Sequence, residues 1–212
     1  MRSLACIVAS IALLGAVAAS GSARSLSLSS RTFRATFLEM TFREEAEGGI
    51  AEVECPVTLE GSLHSSTIAK VVGTLIGYIT RVENIPAACT GGSMVLLSTT
   101  LPWHIRYESF AGTLPTITSV TVQLIGFSFL MRVSTLFGVV ECLYRSTATT
   151  PTTMALNRNA AGVVSTLSMG GRAPLFLRLA GSRITCREAI VTGPGGRFTV
   201  LNSTTAITLT LI

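Results

Sequence analysis

The chain has 212 residues, a formal net charge of +5, 48% hydrophobic residues and only 13% charged ones, which excludes a disordered polyelectrolyte. It contains no Asp, and Lys70 is its single Lys. An Asp-dependent triad, an Asp-rich calcium loop and a catalytic Asp pair are therefore excluded.

Met1-Arg2-Ser3 is a short basic start, Leu4 to Ala19 an uncharged apolar run, and Ser20 to Ala23 a small-residue stretch suited to cleavage. This layout predicts a secretory signal peptide over 1–23, too short and wrongly flanked for a spanning helix. The mature chain then begins at Arg24 and is expected outside the cytoplasm, secreted or at the cell surface. No later apolar run reaches eighteen residues, so no transmembrane helix is expected after cleavage. Residues 24–212 read as a single domain, with 24–32 as a loose Ser-rich lead.

Phe33 to Phe42 is the first expected strand, followed by a charged turn at Glu44 to Gly49. From Ala51 to His64 apolar and polar residues alternate with period two, the pattern of a long strand with one wet face. Pro56 has no N–H to donate, so this strand is expected to be an edge there, or bulged. Ser65 to Val82 reads as a short turn or helical turn near Thr67–Lys70 and a strand from Thr74 to Arg81. A helix over 66–80 is the alternative, carried by an apolar stripe but opposed by Gly73, Gly77 and many β-branched residues. Trp103 to Phe110, Thr116 to Val133 and Leu136 to Tyr144 are β-rich. Ala180 to Arg183 is an expected hairpin turn, Gly193 to Gly196 a strong break, and Asn202-Ser203 the centre of a last hairpin.

About nine to eleven short strands punctuated by turns predict an all-β fold, a β-sandwich or barrel. A membrane barrel is the lesser option. Val53-Glu54-Cys55 recurs as Val140-Glu141-Cys142, which allows two similar halves. Cys6 leaves with the signal. Cys55, Cys89, Cys142 and Cys186 remain, and an even count in an exported chain predicts two disulfides. Sequential pairing, Cys55–Cys89 and Cys142–Cys186, closes the shorter loops. Zinc is the weaker reading, since there is no C-x-x-C and His64 and His104 stand apart. No metal site and no cofactor is expected.

Trp103 to Glu108 is the densest cluster of functional residue types. Strand parity puts Trp103, Ile105 and Tyr107 in the core, leaving His104, Arg106 and Glu108 as a possible ligand face. His64 precedes Ser65-Ser66, but no G-x-S-x-G signals a nucleophile. Glu44, Glu45, Glu47, Glu52, Glu54 and Glu60 could hold a paired-carboxylate site, but Glu52, Glu54 and Glu60 share a strand face, the pattern of a solvated surface. The Gly-rich stretches lack the Lys of a phosphate loop, and no nucleic-acid motif is present.

Charge is uneven: four Arg face seven Glu from Arg24 to Glu60, and eleven basic residues face four Glu from Gly61 onward. Arg172, Arg178, Arg183, Arg187 and Arg197 are thus candidates for binding a polyanion. The leading functional reading is a secreted, non-catalytic binding or structural module, with no catalytic residue assigned. One alternative is a secreted hydrolase built from Glu108, His104 and His64. The other is an envelope protein that docks on anionic cell-envelope polymer through its basic C-terminal half.

Overall fold

The computed structural model describes residues 25–46, 49–113, 116–135, 138–178 and 186–212. They form β1 (Ser25–Leu28), β2 (Thr32–Ala46), β3 (Gly49–Leu63), β4 (Thr67–Ala69), β5 (Leu75–Asn84), β6 (Ser93–Leu96), β7 (Trp103–Thr113) and β8 (Thr116–Ile125). These are followed by β9 (Ser128–Thr135), β10 (Gly138–Arg145), β11 (Thr152–Arg158), β12 (Val164–Ala173), β13 (Leu175–Arg178), β14 (Ala189–Val200) and β15 (Leu209–Leu211). Single turns of 3-10 helix lie at Pro86–Ala88 and Ser98–Thr100.

Eight strands close an antiparallel barrel in the order β2-β3-β5-β7-β8-β11-β12-β14. That is also their order along the chain, so the barrel is an up-and-down meander with insertions at its ends. Because neighbours run antiparallel, the connections from β5 to β7, from β8 to β11 and from β12 to β14 all leave from one end. Their strands β6, β9, β10 and β13 assemble into a sheet of order β13-β10-β9-β6 that caps this end. The chain's first and last described strands and the insertion between β3 and β5 meet at the other end, as the sheet β15-β1-β4.

The alternation read in the sequence now has a cause. Ala51, Val53, Cys55, Val57 and Leu59 point into the core, while Glu52, Glu54, Thr58 and Glu60 point outward. Phe33, Ile105, Val122, Leu156 and Phe198 fill the barrel so well that the void among them measures about 20 Å³. With apolar walls throughout, that space stays dry. The interior is therefore a packed core, as eight strands geometrically permit, and not a ligand chamber. Charged side chains such as Arg34, Arg81 and Arg197 face outward, the reverse of a barrel whose outer band meets lipid. Among the described residues no helix is long and apolar enough to cross a membrane.

Under the cap sheet lies an aromatic cluster. Phe42 is 4.7 Å from Phe129, Phe129 is 5.0 Å from Tyr144, and Trp103 is 5.1 Å from Phe127. Such pairs add about 0.5–1.5 kcal/mol each beyond the area they bury. Both disulfides tie cap elements to the barrel: Cys55 on β3 to Cys89, and Cys142 on β10 to Cys186 just before β14. This is the sequential pairing that the shorter loops suggested.

Several expectations are corrected. The lead is not loose: Ser25–Leu28 forms β1, with Leu26 and Leu28 buried between β4 and β15. The charged turn begins later, because β2 continues through Glu44 to Ala46. Neither the helix over 66–80 nor the helical turn forms; β4 and β5 take that stretch. Gly193 to Gly196 is not a break but the middle of β14, where a Cβ on Gly196 would lie 2.6 Å from Phe37 Cε1. Glycine there makes room for a core ring. The strands number fifteen among the described residues, more than the nine to eleven expected, because the end caps use three- and four-residue strands. The two Val-Glu-Cys segments fall on different sheets, one in the barrel and one in the cap, so they do not mark two equivalent halves. Pro56 sits opposite a bulge: Phe37 pairs with Val57 and Met40 with Cys55, so Leu38 and Glu39 face a single residue. The signal segment and the Ala180–Arg183 turn lie outside the described residues.

Candidate functional site

The bulge throws Leu38 out of the barrel wall, 79% exposed. On either side of the ridge formed by Arg34, Thr36 and Leu38 runs a groove. One, of about 370 Å³, lies toward β3 and β5 and is lined by Pro56, Thr58, Glu60, Glu83, Asn84 and Ile85. The other, of about 330 Å³, lies toward β14 and is lined by Gly195, Arg197, Thr199, Ser203 and Thr204.

Cross-strand register fixes the charges around the ridge. Arg34, Glu60 and Arg81 form a row over β2, β3 and β5. Glu60 is buried, accepting from Arg34 Nε at 2.7 Å and from Arg81 Nη1 at 3.1 Å. The solvated face expected for Glu52, Glu54 and Glu60 is thus corrected at Glu60, which two guanidinium groups enclose. On the other side Thr199 is opposite Arg34 and Arg197 opposite Thr36, so the two arginines are diagonal neighbours on one outward face. Arg197 is exposed and has no ion pair among the described residues. The turn at Asn202, with φ 60°, brings Ser203 and Thr204 back to the same groove. This groove offers cationic and hydroxyl donors, the chemistry of anion recognition.

The other basic candidates are dispersed. Arg172 holds Glu188 at 2.7 Å. Arg187 lies beside Glu44 at the capped end. The backbone of Arg178 is in β13, and Arg183 lies outside the described residues. Arg158 is structural: its Nε donates to the Leu209 carbonyl and its Nη1 to that of Ile117, joining β15 to the barrel. Among the described residues the basic candidates therefore do not gather as one patch.

Trp103, Ile105 and Tyr107 are buried and His104, Arg106 and Glu108 are half-buried on the outer face, as parity required. Burial pushes the Tyr107 hydroxyl up from its ordinary pKa. Tyr78 on β5 brings the two histidines together, its ring centroid 5.0 Å from His64 and 5.4 Å from His104. Arg106 Nε and Glu108 Oε2 are shielded from solvent with no hydrogen-bond partner among the described residues. No Glu–His hydrogen bond occurs among the described residues, so the histidines meet an aromatic ring and not an orienting acid.

The least expected group is Glu44, near the end of β2 and fully buried. Its Oε1 accepts the backbone N–H of Arg187, while Oε2 has no partner among the described residues. Burial pushes its pKa up from 4.5 to about 7, against the opposing pull of the Arg187 N–H and charge. Its carboxylate and the sulfurs of Cys142 and Cys186 all lie within 4.8 Å of one another. As a metal set this triad is spent, because both sulfurs are bonded to each other.

Sequence reasoning passed over Arg34 and placed Glu44 in a charged turn, as one of six carboxylates without a special position. A signal existed for both. Past the bulge, the buried parity of Met40 and Phe42 continues to Glu44, and Arg34 shares the wet parity of Thr36. Comparison of the chain with protein-family models, with curated proteins and with solved structures finds no match in any of the three.

Proposed function

We propose that this protein is a non-catalytic binding module that works outside the cytoplasm and engages an anionic polymer along its barrel wall. The carrying observation is the β14-side groove. Arg34 and Arg197 stand diagonally across two strands there, with Thr36, Thr199, Ser203 and Thr204 between and around them. The guanidinium of Arg197, unpaired among the described residues, flanked by hydroxyls and next to Arg34, whose own charge is paired with Glu60, suits a carboxylate or sulfate group of such a polymer. A packed interior leaves the outer wall as the binding surface. The two disulfides suit an oxidising compartment, in keeping with the N-terminal signal layout.

Dextran sulfate affinity chromatography tests this. The oxidised chain starting at Arg24 should be retained at low salt and released progressively as salt shortens the Debye length to ~8 Å at physiological strength. Arg197→Ala should elute at clearly lower salt. Arg172→Ala, which removes a charge already paired with Glu188, should elute with wild type. Arg34 is a poor probe, since its loss also exposes Glu60 to an incomplete partner set. Co-elution of Arg197→Ala with wild type would overturn the assignment.

A further inference from the structure

We propose that Glu44 is the proton-transfer residue for opening and closing the Cys142–Cys186 bridge, making that bridge a built-in thiol–disulfide exchange site. The geometry is specific to this bridge. Glu44 is the one carboxyl clustered with two sulfurs among the described residues, and the Cys55–Cys89 bridge belongs to no such cluster. One oxygen of the Glu44 carboxyl lies within 4.8 Å of both sulfurs and, with Oε1 held by the Arg187 N–H, Oε2 is buried without a partner among the described residues. A carboxylate oxygen in that position has no structural bond to lose when it takes or gives a proton.

The chemistry needs such a group. A monothiol such as glutathione attacks, as its thiolate, the sulfur of Cys186, the less enclosed of the two at 4% exposure against 0%. A new S–S bond forms, the Cys142–Cys186 bond breaks, and its electron pair remains on the Cys142 sulfur. A fully buried thiolate is costly. Protonated Glu44 supplies a proton, leaving a neutral Cys142 thiol and a Glu44 carboxylate. A second glutathione thiolate attacks the glutathione sulfur of the mixed disulfide and releases Cys186, which takes its proton from solvent. The net change is one protein disulfide and two thiols giving a protein dithiol and one glutathione disulfide. In the closing direction Glu44 carboxylate removes the Cys142 proton as its sulfur attacks the mixed disulfide and expels glutathione thiolate.

Such a group works best when its pKa lies near the ambient pH, and burial has moved Glu44 to about 7. Its neighbours among the described residues are these. Across the ladders Glu44 faces Ala51 of β3 and Ala189 of β14, and β10 contributes Cys142. From the segment before β14 come Cys186 and the positively charged Arg187, with Glu188 next and paired to Arg172.

The experiment uses the oxidised chain from Arg24 in glutathione redox buffers from pH 5.5 to 8.5. Differential alkylation and peptide mapping follow each bridge separately. In wild type, closure of Cys142–Cys186 should inflect near pH 7. In Glu44→Gln it should be at least about tenfold slower at pH 7 and should inflect near the ordinary thiol value of about 8.5. The Cys55–Cys89 bridge should behave alike in both proteins, which separates proton transfer from a general loss of structure. Equal Cys142–Cys186 rates and equal inflections in the two proteins would overturn the proposal. If Glu44→Gln does not fold, the wild-type profile decides: an inflection near pH 7 at Cys142–Cys186 alone supports it, and a common inflection near 8.5 for both bridges overturns it.

Discussion

Arg34 and Glu60 sit directly opposite each other on β2 and β3, and Arg34 Nε donates to Glu60 Oε1 across 2.7 Å. The side chain of Glu60 is 8% exposed and that of Arg34 37%, whereas that of Arg81, its second partner, is 62% exposed. The two arginines should therefore contribute unequally. Replacing Arg34 by Met leaves a buried carboxylate held only by a solvated group and should cost about 1–3 kcal/mol in urea unfolding. Arg81→Met should cost less than about 1 kcal/mol. Equal losses would mean that the row is ordinary surface.

Glycine at 61 is a packing requirement. A Cβ there would lie 2.2 Å from the Tyr78 carbonyl oxygen and 2.8 Å from Phe33 Cζ. The first of these is backbone and cannot step aside without breaking the β3–β5 ladder. Gly61→Ala should lose at least about 3 kcal/mol, in the range of severe core overpacking. Gly170, in β12, has nothing within 4 Å of its added Cβ, and Gly170→Ala should stay within about 1 kcal/mol of wild type. Thermal melts of the pair check the contrast.

Glu44 makes stability depend on pH. Its folded pKa, about 7, is above the unfolded 4.5. Below 4.5 the group is protonated in both states and costs nothing. Between 4.5 and about 7 the unfolded chain ionises first, so folding stability falls as pH rises. Above 7 the folded carboxyl also ionises and the loss levels off. Urea midpoints measured from pH 4 to 8 should show this decline, and Glu44→Gln should flatten it. A Gln variant with the wild-type slope would assign the effect elsewhere.

The two bridges close loops of 34 and 44 residues. On loop-closure entropy each stabilises the fold by about 4 kcal/mol. Replacing Cys55 and Cys89 by Ala should lower stability by roughly that amount. Removing both bridges should cost an amount comparable with the whole stability of a typical domain, about 5–15 kcal/mol. Circular dichroism of the quadruple variant should then report a largely unfolded chain. Thiol labelling of the denatured, unreduced chain from Arg24 should modify no cysteine.

The all-β class was legible because period-two alternation is local. Each residue of Ala51–Leu63 carries its own vote for the wet or dry face, and the turns between strands carry Gly, Asn and Ser. The disulfide pairing was legible for a similar reason, since short loops cost least to close. The missing N–H of Pro56 left an edge or a bulge open, and the tertiary pairing put a bulge on the facing strand β2. What escaped the sequence is whatever depends on partners distant along the chain. Closure of the barrel by β14 against β2, and the docking of four inserted strands into one cap, are set by ladders and packing between segments far apart. The same distance hides the site. Glu44 sits in a charged stretch that reads as a turn, and only the cap sheet and the segment before β14 bury it against two sulfurs. Arg34 and Arg197, 163 positions apart, become neighbours only through the register of β2 on β14. Composition and periodicity determined what kind of wall this chain builds; tertiary register decided which side chains stand together on it, because proximity between remote residues has no local signature.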